Sequence, residues 1–88
     1  MDYQAIRQDI VTYAQRMYDE KLVSATSGNI SVRLPDRSDA FAITPGSESY
    51  QAMTAERIVI MTIDGDILEC PEGARPSSEW RLHAELYR

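Results

Sequence analysis

Along residues 3–22, apolar positions recur at three- and four-residue spacing: Tyr3, Ile6, Ile10, Tyr13, Ala14 and Met17. That spacing predicts an amphipathic helix, with Asp2 as its N-cap and Val11, Tyr18 and Leu22 widening its apolar face. Such a face needs a sheet or other helices beneath it, because propensity alone holds few helices in water. From residue 30 the period changes to two. Ile30, Val32 and Leu34 alternate with Ser31 and Arg33, which predicts a strand over 30–34. Residues 35–39 have the composition of a turn, and a second strand over 40–44 completes a hairpin. Residues 54–57 read as a short helical turn capped by Thr54. The apolar run 58–63 predicts a buried strand, Asp64-Gly65-Asp66 a hairpin turn, and 67–70 the strand that pairs back. Residues 71–75 form a loop that delivers the chain to a helix over 76–88, with Pro76 at its start and Ser77 as N-cap.

The order helix, antiparallel-leaning strands, helix predicts an α/β fold built in layers, with an unfinished sheet. At 88 residues the chain is one domain or part of one, with a marginal core. Apolar residues at 43% and charged residues at 26% place it among globular chains, not disordered ones. Nine basic against 14 acidic residues give a net charge of −5, which argues against nucleic acid and anionic membrane as partners. It leaves room for a small anion, because local backbone amides bind phosphate against the global charge. Cys70 is the only cysteine, so no intrachain disulfide forms. With no signal-peptide pattern and no apolar run of membrane-spanning length, a soluble cytoplasmic protein is expected.

Three polar loops punctuate the strands: Thr26-Ser27-Gly28-Asn29, Thr44-Pro45-Gly46-Ser47 and Pro76-Ser77-Ser78-Glu79. Each supplies small residues, hydroxyls and exposed amides, the parts that phosphate recognition requires. Taken singly, the first is an ordinary turn and the paired serines are helix caps. Glu79, on its own, is a first-turn glutamate that complements the helix dipole.

Taken together and in this order, the stretches resemble the class II aldolase and adducin family. The match runs through Thr26-Ser27-Gly28-Asn29-Ile30-Ser31-Val32-Arg33, Ile43-Thr44-Pro45, Met53-Thr54, Ile58-Val59-Ile60 and Asp64-Gly65. It ends in Pro76-Ser77-Ser78-Glu79-Trp80-Arg81-Leu82-His83, which is most similar to the fuculose phosphate aldolase branch. The resemblance implies a three-layer α/β/α domain, of which residues 1–88 would be the N-terminal part. It implies a zinc-dependent lyase that cleaves a ketose 1-phosphate to dihydroxyacetone phosphate and an aldehyde, acting as a homotetramer. Carried over residue by residue, it assigns substrate phosphate binding to Gly28, Asn29, Gly46, Ser47, Ser77 and Ser78. It makes Glu79 the catalytic acid/base and a group that approaches the zinc.

Two departures stand out. After Thr44-Pro45 the order is Gly46 then Ser47, where the family has a small or hydroxyl residue and then glycine. The family's histidine zinc ligands are also absent: the only histidine is His83, one turn beyond Glu79. One His and one Glu make an incomplete zinc site, so His83 reads as a packed or hydrogen-bonded histidine, and the chain alone is expected to be inactive. Cys70 reads as a core or strand-end residue, and Trp80, Leu82, Leu86 and Tyr87 as packing. Arg81 and Arg88 face solvent or a subunit neighbour. A sugar-phosphate epimerase or dehydratase of the same fold, a non-enzymatic adducin-like interaction module and a truncated gene product are the alternative readings.

Overall fold

The computed structural model describes residues 3–22 and 28–88. Asp2, Thr26 and Ser27, named above as a cap and as part of the first polar loop, lie outside the described residues. The elements run in order α1 (Gln4–Asp19), β1 (Ser31–Arg33), β2 (Ala40–Ile43), a 3₁₀ turn (Ala55–Arg57), β3 (Val59–Thr62), β4 (Ile67–Glu69) and α2 (Trp80–Tyr87). The four strands form one antiparallel sheet in the order β1-β2-β3-β4. Both hairpins expected from the sequence pattern and its turns are present. Ser31 pairs with Ile43 across the first, and Met61 pairs with Ile67 across the second.

The core has two faces because the two central strands alternate. Ala40, Ala42, Ile58 and Ile60 pack with Ile10, Val11 and Ala14 of α1. Phe41, Ile43, Val59 and Met61 pack on the other face with Ala84, Trp80 and Tyr87 of α2. Every residue of β2 and β3 is therefore buried, and each large apolar side chain contributes about 1.5–3 kcal/mol of burial. The result is three layers, α1, the sheet and α2.

Several elements are shorter than their sequence pattern suggests. Helix α1 stops at Asp19 because Lys21 takes a positive φ of 60°. The amide of Leu22 then bonds the carbonyl of Met17, and that of Lys21 the carbonyl of Tyr18, the double closure of a left-handed helix end. Glycine normally marks that closure, so the sequence gives no warning of it. Tyr13 and Leu22, read as part of the apolar face, are exposed. Helix α2 begins at Trp80, with Glu79 rather than Ser77 in the capping position. The backbone at 76 and 77 is held in an antiparallel bridge between Pro76 and Pro45, so it cannot turn helical sooner. Leu82 and Leu86 are 57% and 76% exposed, which corrects their reading as packing residues. Trp80 and Tyr87 do pack on the sheet, Arg81 lies over the Trp80 ring at 4.7 Å, and Cys70 is exposed just beyond β4. Among the described residues no helix is long and apolar enough to cross a membrane.

Gly65, in the turn between β3 and β4, has φ 101°, and a Cβ there would lie 2.9 Å from Cη2 of Trp80. Both the backbone and the space require glycine. Gly65→Ala is expected to lower unfolding stability by about 1–3 kcal/mol in denaturant titration. A change within experimental error would show that the turn and Trp80 are less tightly fitted than described.

Candidate functional site

Gly28 and Asn29 of the first polar loop meet the second and third loops at the end of the sheet where β1 begins and β2 ends. Thr44, fully buried at 0% exposure, ties them together. Its amide donates to the Ile30 carbonyl at 3.1 Å, and its Oγ1 accepts from the Ile30 amide at 3.3 Å. Its carbonyl accepts from the Ser77 amide at 3.0 Å. Two residues later, the Gly46 amide donates to the Arg75 carbonyl at 2.9 Å. A Cβ on Gly46 would approach the Pro76 carbonyl to 3.0 Å, so glycine here allows the second and third loops to touch. Tyr50, buried with its phenol raised in pKa by desolvation, donates to the Gly28 carbonyl at 2.6 Å and anchors the first loop from below.

Between the loops lies a cleft of about 340 Å³ lined by Gly28, Asn29, Pro45, Gly46, Ser47, Arg75, Ser77, Ser78 and Glu79. All six residues assigned to phosphate, and Glu79, line this one space. Their groups differ in availability. The Gly46 and Ser77 amides are already used between loops. Among the described residues, the amides of Ser47 and Ser78 have no acceptor and remain for a ligand. Ser77 is 6% exposed, and its Oγ accepts from the Glu79 amide at 3.3 Å, leaving its own hydrogen to donate.

Ser47 sits at φ 60°, a left-handed region that glycine occupies freely and other residues do not. A serine there costs about 1 kcal/mol. The guanidinium of Arg75 donates to Ser47 Oγ at 3.0 Å, a bond whose net worth of about 0.5–1.5 kcal/mol offsets that strain. Arg75 is also the cation of the cleft, and the sequence reading passed over it as a loop residue. A charged residue directly before a phosphate-loop proline was the available signal.

His83 is part-buried. Its Nε2 bonds Asn29 Oδ1 and its Nδ1 lies 2.6 Å from Ser31 Oγ. This bears out its reading as a hydrogen-bonded histidine. Among the described residues no three His, Cys, Asp or Glu side chains come together as a metal site, and Glu79 is the single carboxylate in the cleft. These residues alone therefore do not fit a zinc ion, which takes three or four protein ligands.

The sequence model "Class II Aldolase and Adducin N-terminal domain" matches residues 8–88. The chain belongs to that family. It is 34% identical over 82 residues to 5-deoxy-D-ribulose 1-phosphate aldolase of Bacillus thuringiensis serovar kurstaki, covering 93% of this chain and 37% of that one. It is 39% identical over 80 residues to methylthioribulose-1-phosphate dehydratase of Gluconacetobacter diazotrophicus, covering 91% and 37%. A solved L-fuculose 1-phosphate aldolase superposes with a TM-score of 0.88 at 30% identity, over 99% of this chain and 40% of that one. The three-layer arrangement is thus the class II aldolase fold, and the chain spans about two fifths of the length of these relatives.

Burial lowers the pKa of His83, against a smaller opposing pull from Glu79. Its folded pKa lies below the unfolded value, so the unfolded chain binds the extra proton first and stability falls as pH drops through about 6.5. Denaturant titration at about pH 7.5 and about pH 5.5 should show this loss, reduced in His83→Gln. An identical pH response in the two proteins would contradict it.

Proposed function

We propose that these residues form the phosphate cradle and carry the acid/base carboxylate of a lyase acting on a ketose 1-phosphate. The observation that carries the reading is the single cleft into which all three polar loops and Glu79 converge. The substrate phosphate takes the open amides of Ser47 and Ser78, the hydroxyls of Ser77 and Ser78, the Asn29 side-chain amide and the guanidinium of Arg75. Cationic and neutral donors together fit a dianion in a protein whose overall charge is negative. Gly28 and Gly46 contribute close backbone approach.

The aldol reading is supported by the aldolases among the relatives. Glu79 takes the proton of the hydroxyl on the departing carbon, the carbon–carbon bond breaks to free an aldehyde, and its electron pair stays on the phosphorylated fragment as an enediolate. Glu79, at the rim of the phosphate cradle, then protonates the enediolate carbon to give dihydroxyacetone phosphate. Holding the phosphate in place fixes which carbon meets the carboxyl. Zinc belongs, on this reading, to a longer protein that supplies its histidines, where it would stabilise the enediolate oxygen as a Lewis acid. The same reading takes that protein to be a cytoplasmic homotetramer. Dehydration of a ketose 1-phosphate is the second reading, favoured by the methylthioribulose-1-phosphate dehydratase similarity, and it uses the same cradle and a proton shuttle at Glu79.

In a full-length protein that contains these residues, Glu79→Gln is expected to lower turnover of a ketose 1-phosphate by at least about a hundred-fold while phosphate affinity changes little. Retained turnover would remove Glu79 from the role. Release of dihydroxyacetone phosphate marks the aldol reaction, and loss of water without carbon–carbon cleavage marks the second reading. The 88-residue chain alone is expected to show no turnover with added zinc, and robust turnover would overturn that.

A further inference from the structure

A chain of side-chain hydrogen bonds runs behind the cleft from the end of α2 to its lining. The Tyr87 hydroxyl lies 2.7 Å from Ser31 Oγ, and Ser31 Oγ lies 2.6 Å from His83 Nδ1. His83 Nε2 bonds Asn29 Oδ1. We infer that His83 is a positioning residue, which orients the Asn29 amide so that its NH₂ faces the bound phosphate; the inference rests on the phosphate reading of the cleft.

The direction of each proton follows from the two ends. An amide oxygen only accepts, so His83 Nε2 carries hydrogen and donates. A neutral ring then has Nδ1 as an acceptor, so the Ser31 hydroxyl donates to it. Ser31 has spent its single hydrogen and accepts from Tyr87 O–H. Tyr87 is itself fixed from three sides. Its ring centroid is 5.3 Å from that of Phe41, the Arg33 guanidinium stacks over it at 5.1 Å, and Arg33 also donates to the Tyr87 carbonyl. The relay thus begins on rigid parts of β1, β2 and α2 and ends on a loop that would otherwise have two amide orientations of similar cost. The wrong orientation would aim a carbonyl oxygen at an anion. This arrangement also gives Ser31, on the polar side of β1, a purpose other than solvation.

His83 is the only histidine, so its imidazole nitrogen NMR signals report the relay directly in the unmodified chain. The account predicts a single neutral tautomer with hydrogen on Nε2. A ring with hydrogen on Nδ1, or a mixture of the two, would overturn it. Affinity for inorganic phosphate, measured by titration calorimetry, supplies the second arm. Glutamine places an amide near the Nε2 position, so His83→Gln keeps the donor to Asn29 and should bind within about three-fold of the parent chain. Asparagine reaches only as far as Nδ1, so His83→Asn should bind about ten-fold more weakly, the loss of one hydrogen bond to a charged ligand. Equal affinities for the two variants would contradict the positioning role. A parent chain that takes up no phosphate would overturn the phosphate reading instead, and the tautomer then decides alone whether His83 orients Asn29.

Discussion

Thr44 is the residue on which the site depends. With its backbone amide, carbonyl and hydroxyl it holds Ile30 on one side and Ser77 on the other, at zero exposure. A buried polar group that makes all its bonds is worth more as a constraint than as stability, because each alternative position leaves a donor or acceptor unpaired. Two segments distant in sequence, 28–30 and 75–78, are thereby set against the end of one strand. The Gly46–Arg75 bond and the Pro45–Pro76 bridge extend that contact by two residues.

The sheet makes this junction rigid. β2, which Thr44 follows directly, is central, buried on both faces and paired on both edges. Its alternate residues carry α1 on one side and α2 on the other, so a shift of one residue in register would exchange the two cores. Loops with little apolar content of their own therefore inherit fixed positions from strands that have a great deal. The bonds of His83 to Asn29 and Ser31 add a second, polar connection between α2 and the first loop.

Much of this was legible in the chain. The alternation over 30–34, the apolar run 58–63 and the turn signals between them pointed to all four strands and both hairpins, since alternation, apolar runs and Asp64-Gly65 are local signals. The polar loops were legible as candidates because their residue types are those that bind anions. What was hidden depends on tertiary contact. The pairing of Pro45 with Pro76 delays α2 to Trp80, and no local rule places two prolines in one bridge. Lys21 closes α1 where glycine would have announced the end. Arg75 lines the cleft through tertiary contact, its backbone bonded to Gly46 and its guanidinium to Ser47. The Gly46 and Ser77 amides looked like ligands' donors and are instead spent between the loops, which sequence spacing does not reveal.

The central claim is that the three loops act as one anion cradle. Backbone amide NMR during titration with inorganic phosphate tests it most directly. The account predicts that the signals of Gly28, Asn29, Ser47 and Ser78 shift together along a single saturation curve, with the far ends of β1 and β4 unchanged. Shifts confined to one loop, different curves for different loops, or no saturable shift would contradict it.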